Sequence, residues 1–370
     1  MTLKVLHAIP SFVGGGAERQ LSLLAPELCR LGVDTHVAYV HPGINLAHLL
    51  DTPVVLHRMT GSSNHDPRIL LKFVWLIRRL RPDVVQTWLP QMDVFAGMAA
   101  LLTGTPFVLS ERSSGPAYPG GWKIRLRRQI GRHADVVVAN SQGGVDYWGA
   151  DVGKRSVIRN GLALQALRAA QPALPETIGL PADSRIVLFA GRLNPEKNVA
   201  ALLEALGDVL ARHDDTAAVL FGDGPLRASL DAKVLSMHTR ERIRLAGFTP
   251  DLWRWMRRAS VFVSASHFEG NPNAVLEAMA VGCPLVVSAI EQHREILDDT
   301  SAQFCDQTSR ASIAHAINAV LEAPEVAAAR ASAASRFVNG WSIEHAAQNY
   351  YGLYRELASG RQPTERTASP

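Results

Sequence analysis

The sequence predicts an α/β protein with two doubly wound domains that face each other across a ligand cleft. Short β-rich runs alternate with helical patterns along the chain, which is typical of parallel sheets flanked by helices. The chain has 370 residues, which are too many for one ordinary core and suit two domains. The alternation also restarts after a proline-rich stretch, and two similar α/β units in one chain favour a ligand site between them.

The first predicted domain covers residues 1–165. Its first strand leads into a helix at 17–31, which ends at Gly32, a residue suited to a helix C-terminus. The predicted strands of this domain lie at 3–9, 35–40, 84–88, 107–110, 135–139 and 157–159.

Residues 166–183 are predicted to form a linker, because they contain Pro172, Pro175 and Pro181 and show little periodicity. The second domain then covers residues 184–342. An amphipathic helix at 343–358 is expected to pack back toward the first domain, and residues 359–370 are expected to form a flexible tail. The predicted strands of the second domain lie at 185–190, 217–221, 242–245, 261–264 and 285–288.

The composition excludes several classes of protein. Cys29, Cys283 and Cys305 are few and widely spaced, which argues against a disulfide framework or a zinc site and favours a reducing cytosol. The N-terminal apolar run has the pattern of a strand and lacks a signal-peptide cleavage site. No run of 18 apolar residues is present to span a membrane.

Two glutamates, Glu269 and Glu277, flank the start of a predicted helix. Glu269 lies in the loop after the predicted strand 261–264, and Glu277 lies in the helix, for which Asn271 is the expected N-cap and Pro272 a first-turn residue. Backbone N–H groups at such a helix start favour a diphosphate or a sugar hydroxyl, and a carboxylate one turn deeper can accept hydrogen bonds from vicinal hydroxyls. The alternative is that both glutamates only complement the helix dipole, worth about 0.3–1 kcal/mol each.

A pair of cations follows the first strand of the second domain. Arg192 and Lys197 lie five residues apart between a predicted strand and a helix, a position in which they could bind a pyrophosphate. The sequence has no Asp-x-Asp motif that would indicate a metal site. We therefore expect no metal and no cofactor, with the two cations compensating the charge of a bound diphosphate.

Residues 269–284 closely resemble the Glu-x7-Glu signature of the retaining family 4 glycosyltransferases, which have the GT-B fold of two Rossmann-like domains. The resemblance extends over residues 3–357 and implies that Glu269, Arg192 and Lys197 are catalytic and contact the donor. It also implies a set of further donor-binding residues. These are Gly15, Gly16, Gly222, Gly224, Phe248, Gly270, Asn271, Asn273, Ala274 and Glu277.

The first domain carries a glycine-rich turn at residues 14–16, which precedes a helix. A dinucleotide-binding turn would require a third glycine where Arg19 stands, so NAD binding is not expected. Family members often place a histidine near the end of the strand 107–110, where this chain has Glu111 and Arg112. We keep these two as candidates for acceptor binding or acid–base chemistry, with Glu111 as the candidate base.

The stretch from Trp122 to Arg132 interleaves apolar residues with cations. It is predicted either to be a solvated helix face or to dock peripherally on an anionic membrane surface. The cations are Lys123, Arg125, Arg127, Arg128 and Arg132. Nucleic acid is a weaker explanation, because aromatic residues make up only 6% of the chain and no nucleic-acid-binding module is present.

The resemblance implies transfer of a hexose or N-acetylhexosamine from a nucleotide-sugar, expected to be a UDP-sugar, to a glycan or lipid-linked acceptor. The bacterial N-acetylgalactosaminyl- and hexosyltransferases of cell-surface polysaccharide synthesis, including lipopolysaccharide, are similar. The expected location is the cytoplasm, with peripheral contact at the inner face of the membrane. The resemblance also implies that the first domain, residues 1–165, binds the acceptor. Two alternatives stay open, a UDP-sugar epimerase of the same fold and a non-catalytic sugar-nucleotide-binding module.

Overall fold

The computed structural model describes residues 2–61, 66–113, 118 and 120–360. The chain forms two compact units, Met1–Gly161 with Trp341–Pro370, and Leu162–Gly340. We call them the first and the second unit. Of the predicted tail, only Ser359 and Gly360 lie within the described residues.

The first unit is built on a parallel sheet in which seven strands are described. The inner strands are rich in apolar, β-branched residues and are buried on both faces, as is usual in parallel sheets, whereas the two edge strands are partly exposed. The strand order is β3-β2-β1-β4-β5-β6-β7. The strands are β1 (Lys4–Ser11), β2 (Asp34–His41), β3 (Val55–Arg58), β4 (Val84–Trp88), β5 (Phe107–Glu111), β6 (Val136–Ala139) and β7 (Arg155–Val157).

Helices cover both faces of this sheet. The helices are α1 (Gly16–Arg30), α2 (Ala47–Leu50), α3 (Arg68–Leu80), α4 (Pro90–Thr103), α5 (Trp122–Gly131), α6 (Gln142–Trp148) and, from the C-terminus of the chain, α15 (Ile343–Ser359). One core contains buried residues of α1 and α15, and the other contains buried residues of α3, α4 and α5. Tyr350 and Tyr354 of α15 are buried, and the Tyr354 hydroxyl donates to the Gln86 side chain.

The second unit repeats this architecture with six described parallel strands in the order β10-β9-β8-β11-β12-β13. They are β8 (Arg185–Ala190), β9 (Thr216–Phe221), β10 (Ile243–Gly247), β11 (Val261–Ser264), β12 (Leu285–Ser288) and β13 (Gln303–Cys305). The helices are α7 (Leu164–Ala169), α8 (Val199–Arg212), α9 (Arg227–Leu235), α10 (Leu252–Arg258), α11 (Asn273–Ala280), α12 (Glu291–Arg294), α13 (Arg310–Glu322) and α14 (Pro324–Phe337).

The predicted linker, residues 166–183, differs from the structure. These residues belong to the second unit and begin within helix α7. Arg244 donates to the carbonyl oxygens of Ile178 and Gly179 at 2.9 and 2.8 Å. The segment that contains the three prolines is therefore packed against the second unit. Its backbone carbonyl groups that have no helix or strand partner accept hydrogen bonds from an arginine side chain instead.

Two edge strands were not predicted, and a third was misplaced. β3 and β13 have four and three residues, which is too short for a clear alternating pattern. The last strand of the first unit was predicted at 157–159 and lies at Arg155–Val157. Edge strands lack a neighbour on one side, so the sequence constrains their bounds weakly.

Candidate active site

The order of the strands reverses between β8 and β11 in the second unit. Ligands of open α/β sheets bind at such a reversal, outside the carboxyl ends of the strands. The loop after β8 contains Arg192 and Lys197, and the loop after β11 contains Glu269. The topology therefore brings these three predicted residues to one edge of the sheet, although the two loops are about seventy residues apart in sequence.

Lys197 and Glu269 form a hydrogen-bonded ion pair at this edge. The Lys197 Nζ donates to Glu269 Oε1 at 2.7 Å and to Oε2 at 2.5 Å. The side chains are 25% and 7% exposed. A lysine ammonium group has three N–H donors, so two are directed at Glu269 and one is left for another acceptor. The pair links the loops on either side of the strand reversal.

A series of hydrogen bonds among buried polar groups holds Glu269 in place. Ser266 Oγ donates to Glu269 Oε1 at 2.7 Å, and Ser288 Oγ donates to the Ser266 carbonyl oxygen at 2.7 Å. His293 Nδ1 lies 2.9 Å from the Ser288 carbonyl oxygen. Burial lowers the pKa of His293, so the neutral ring donates from Nδ1. These three residues were not predicted from the sequence, because a single serine or histidine in or after an apolar strand gives no motif.

Arg192 differs from Lys197 in being exposed. Its side chain makes no ion pair or hydrogen bond with the described residues. The turn that follows is fixed by Asn194, whose Oδ1 accepts a hydrogen bond from the Lys197 backbone N–H at 3.2 Å. One cation of the predicted pair is thus held by Glu269, while the other is available at the surface of the same loop.

Helix α11 begins one residue later than the predicted caps require. Pro272 is the N-cap residue, and the structure shows no side-chain capping hydrogen bond there. Asn271 was the predicted N-cap, but its Nδ2 donates to Asn273 Oδ1 at 2.6 Å instead. Glu277 lies one turn into the helix and is 6% exposed. Gly270, Asn271, Asn273 and Ala274 are partly exposed at the helix start, so their donor contacts stay predictions.

The predicted glycines Gly222 and Gly224 are required by contacts between loops. Gly222 has a φ of +131°, and a Cβ there would lie 1.8 Å from the Gly191 carbonyl oxygen. A Cβ on Gly224 would lie 2.4 Å from the Leu193 carbonyl oxygen. The close approach seen at these glycines is therefore between the loops after β8 and β9. Contact with a donor remains a prediction for both, as it does for Phe248, which is 67% exposed after β10.

The glycine-rich turn of the first unit lies at the start of α1. Gly15 is the N-cap residue and Gly16 the first helical residue. A Cβ on Gly15 would lie 2.2 Å from Glu18 Oε2, so a carboxylate of this chain packs against this glycine, and the donor contact of Gly15 and Gly16 stays a prediction. Glu18 is 8% exposed. The sequence offered a signal for it in the position three residues after the N-cap, where an acidic residue suits a helix start.

Glu111 lies in a buried charge network, where a role as base is not supported. Its Oε2 accepts hydrogen bonds from Arg127 at 2.8 Å and from Trp148 at 2.9 Å, and Oε1 accepts from the Ser113 N–H at 3.0 Å and the Tyr118 hydroxyl at 2.5 Å. Glu111 is 0% exposed. Both carboxylate oxygens accept hydrogen bonds from the protein and are shielded from solvent, so these contacts give no support to Glu111 as the base. Its role stays a prediction.

Arg127 belongs to the same network, so it is not a surface cation of the predicted membrane-docking stretch. Its Nε donates to Asp93 at 2.7 Å, and the side chain is 1% exposed. Burial raises the pKa of Asp93 to about 6, and Arg127 acts in the opposite direction. One of the five predicted surface cations therefore points into the core. The exposed residues of this stretch include Trp122, Lys123, Arg125 and, just after the helix, Arg132.

Arg112 is held among side chains of the first unit. It donates to Asn160 Oδ1 at 3.0 Å and to the Tyr350 hydroxyl at 2.8 Å, and its guanidinium carbon lies 3.9 Å from the centre of the Trp88 ring. Burial, together with Arg112, lowers the pKa of His7 to about 3. Arg112 thus joins helix α15 to the sheet, and these contacts give no support to acid–base chemistry at this position.

Among the described residues, no group of three or more histidine, cysteine, aspartate or glutamate side chains is placed to hold a metal ion. No helix in the described part of the chain combines the length and apolar character needed to cross a membrane.

Solved structures with the same fold are numerous. HepE of Anabaena in complex with UDP-glucose superimposes with a TM-score of 0.85 at 20% identity, covering 96% of this chain and 100% of that one. WaaG, described as a glycosyltransferase involved in lipopolysaccharide biosynthesis, gives a TM-score of 0.76 at 12% identity, covering 95% and 99%. At these identities the likeness shows the fold, which is GT-B.

Curated relatives are more similar in sequence. The lipopolysaccharide core biosynthesis glycosyltransferase LpsE of Rhizobium meliloti is 29% identical over 288 residues, covering 75% of this chain and 76% of that protein. An α-1,3-galactosyltransferase of Escherichia coli, named for UDP-Gal and α-D-GlcNAc-diphosphoundecaprenol, is 25% identical over 309 residues, covering 79% and 80%.

Family models match both halves of the chain. Residues 14–166 match the model described as Glycosyltransferase Family 4, and residues 170–337 match the model described as Glycosyl transferases group 1. The chain therefore belongs to the family 4 glycosyltransferases of GT-B fold, and it is a glycosyltransferase.

Proposed function

We propose that the protein is a retaining glycosyltransferase that moves a hexose or N-acetylhexosamine from a UDP-sugar to a glycan or lipid-linked glycan. The relatives named for lipopolysaccharide core and for diphosphoundecaprenol acceptors support a role in cell-surface polysaccharide synthesis. Neighbouring folds solved with UDP and with UDP-glucose support the donor. The observation that carries the proposal is the Lys197–Glu269 pair beside the exposed Arg192.

The chemistry of the leaving group explains why these side chains belong together. Transfer from a nucleotide-sugar releases a nucleoside diphosphate, whose developing negative charge must be stabilised. The remaining N–H of Lys197 can bind one phosphate oxygen, and the Arg192 guanidinium can bind two. Glu269 fixes the ammonium group and offers acceptors to donor-sugar hydroxyls. In this proposal the fixed cations act without a divalent metal, and Glu277 binds the ribose.

A donor panel tests the proposed function. The purified protein is mixed with UDP-, GDP- and dTDP-sugars and a membrane lipid extract, with and without EDTA, and products are identified by mass spectrometry. We expect a glycosylated product from a UDP-sugar in both arms, and none from the Glu269→Ala control. Absence of product with every donor would contradict the transfer. Loss of product in EDTA that a divalent ion restores would contradict the metal-free mechanism.

We also propose peripheral docking of the first unit on an anionic membrane at the cytoplasmic face. Neither α3 nor α5 contains an acidic residue, and both pack against α4, which lies between them. Trp122 on α5 and Trp75 on α3 are 68% and 58% exposed. Exposed cations beside exposed tryptophans suit the interface of an anionic bilayer. Such a surface would bring the enzyme to a lipid-linked acceptor.

Vesicle binding checks the docking surface. Replacing both Lys123 and Arg125 with glutamate should weaken binding to phosphatidylglycerol vesicles by at least about 2 kcal/mol, because each surface cation contributes about 1 kcal/mol. Flotation with phosphatidylcholine vesicles gives the baseline. Replacing both Arg257 and Arg336 with glutamate, at exposed positions of the second unit, reverses the same number of charges. This matched control should bind as the wild type does. Equal loss in the control would point to net charge in place of a defined surface.

A further inference from the structure

Glu18 occupies the position in the first unit that corresponds to the candidate site of the second. β1 ends at Ser11, α1 begins at Gly16, and Glu18 is the third residue of that helix. The strand order of the first unit reverses between β1 and β4. The loop after β1 therefore lies at the point where open α/β sheets bind ligands.

The surroundings of Glu18 leave one carboxylate oxygen unused. The side chain is 8% exposed, and Oε1 accepts a hydrogen bond from Ser11 Oγ at 3.1 Å. Within the described part of the chain, no cation pairs with Glu18 and no protein donor reaches Oε2. Oε2 is not among the buried atoms that lack a partner, so solvent or a ligand can reach it. Largely buried carboxylates are ordinarily paired with a cation or with hydrogen-bond donors. Glu269 in the second unit, which is paired with Lys197, shows that ordinary case.

Gly15 is the reason that Oε2 can lie where it does. Any side chain at this position would place its Cβ 2.2 Å from Oε2, which no pair of atoms tolerates without a shift. The glycine therefore admits the carboxylate. The space beside Gly15 already holds a negative charge, which complements the α1 dipole. A phosphate in the same place would meet like-charge repulsion.

We infer that Glu18 binds a hydroxyl group of a sugar through Oε2, and that Gly15 makes room for this carboxylate. A sugar hydroxyl is a neutral donor and matches the unused lone pairs of Oε2. This role rests on the proposed function, since the hydroxyl belongs either to the donor sugar or to the acceptor. The alternative is that Glu18 only complements the helix dipole.

The test is the Glu18→Gln variant, which keeps the size of the side chain and removes its charge. We expect kcat/KM to fall about 10- to 100-fold, the effect of losing one hydrogen bond to a charged group. Calorimetric affinity for UDP alone should stay within twofold. If the hydroxyl is on the donor, the affinity for the UDP-sugar falls. If it is on the acceptor, the KM for the acceptor rises.

Glu27→Gln is the matched control, because Glu27 lies in the same helix and pairs with Arg30 near its other end. It should transfer as the wild type does. Thermal unfolding of both variants separates a folding defect from a binding defect. A Glu18→Gln variant with unchanged kcat/KM would overturn the inference, as would a tenfold loss of UDP affinity.

The Gly15→Ala variant tests independently whether Gly15 makes room for the Glu18 carboxylate. It should displace the carboxylate and reproduce the kinetic defect of Glu18→Gln, and the double variant should be no worse than either single one, because residues that act through one contact are not additive. Additive defects would contradict the link between the two residues. A wild-type protein without transfer would contradict the proposed function and this role with it, whereas unchanged variants of an active wild type contradict only the role of Glu18.

Discussion

Replacing Lys197 with methionine is expected to lower the rate of glycosyl transfer about 100- to 1,000-fold. The substitution keeps the length of the side chain and removes a preorganised charge from the leaving-group site, and the loss of one such donor has an effect of this size. It also leaves Glu269, which is 7% exposed, without its cation. We therefore expect a loss of about 1–3 kcal/mol in the free energy of unfolding, measured by urea denaturation.

Arg192→Met separates the effect on the transfer rate from the effect on stability. Arg192 is exposed and has no ion pair or hydrogen bond with any described residue, so its loss should leave the free energy of unfolding within about 0.5 kcal/mol of the wild type. Transfer should nevertheless fall about 100-fold if its guanidinium stabilises the diphosphate. Normal turnover in Arg192→Met would contradict the phosphate role. An unfolding free energy unchanged in Lys197→Met would contradict the pairing with Glu269.

Replacing Arg127 with methionine is expected to destabilise the protein by about 3–5 kcal/mol. The side chain is 1% exposed and joins Asp93 and Glu111, which are both 0% exposed. Removing one member of a buried ion network costs this much because the remaining charges are left without compensation. Urea unfolding at pH 8 measures the effect. Arg125→Met, on the exposed side of the same helix, is the matched control and should change stability by less than about 0.5 kcal/mol.

The pH dependence of the Arg127 variant gives a second check. Burial already raises the pKa of Asp93 to about 6, and Arg127 opposes that shift. A carboxyl group whose pKa is higher in the folded than in the unfolded state lowers stability above that pKa, and the penalty fades as the pH falls through it. The destabilisation of Arg127→Met should therefore shrink between pH 8 and pH 5. A loss that is constant over this range would point to lost packing instead of an uncompensated charge.

Much of the fold, and the loops that carry the second-unit residues, could be predicted from the sequence because the signals for them act over a few neighbouring residues. Short-range periodicity of apolar residues predicts the alternation of strands and helices, and long apolar strands such as β8 and β9 show a clear pattern. Glu269 and Glu277 belong to one strand–loop–helix unit. Their spacing alone therefore predicts that Glu269 lies in the loop before the helix and Glu277 in the helix. The edge strands β3 and β13 escaped prediction because three or four residues carry too little pattern.

Residues that depend on distant partners were predicted less well. Arg127 belongs to a helix whose outward side is also rich in cations, and nothing in its own segment distinguishes the buried arginine from the exposed ones. Its orientation follows from Asp93, which is 34 residues away. Glu111 was a candidate because it lies at a strand end where family members often place a histidine. Its donors Arg127 and Trp148 come from elsewhere in the chain and hold its Oε2 in the core.

The sequence by itself determined that the chain has two α/β halves and which motifs lie at the carboxyl ends of their strands. Only the tertiary structure decided that Lys197 bonds Glu269 while Arg192 stays exposed, and that Glu18 fills the space beside Gly15. The physical reason is that periodicity and capping act over a few residues, whereas ion pairing and burial act between groups that folding alone brings together.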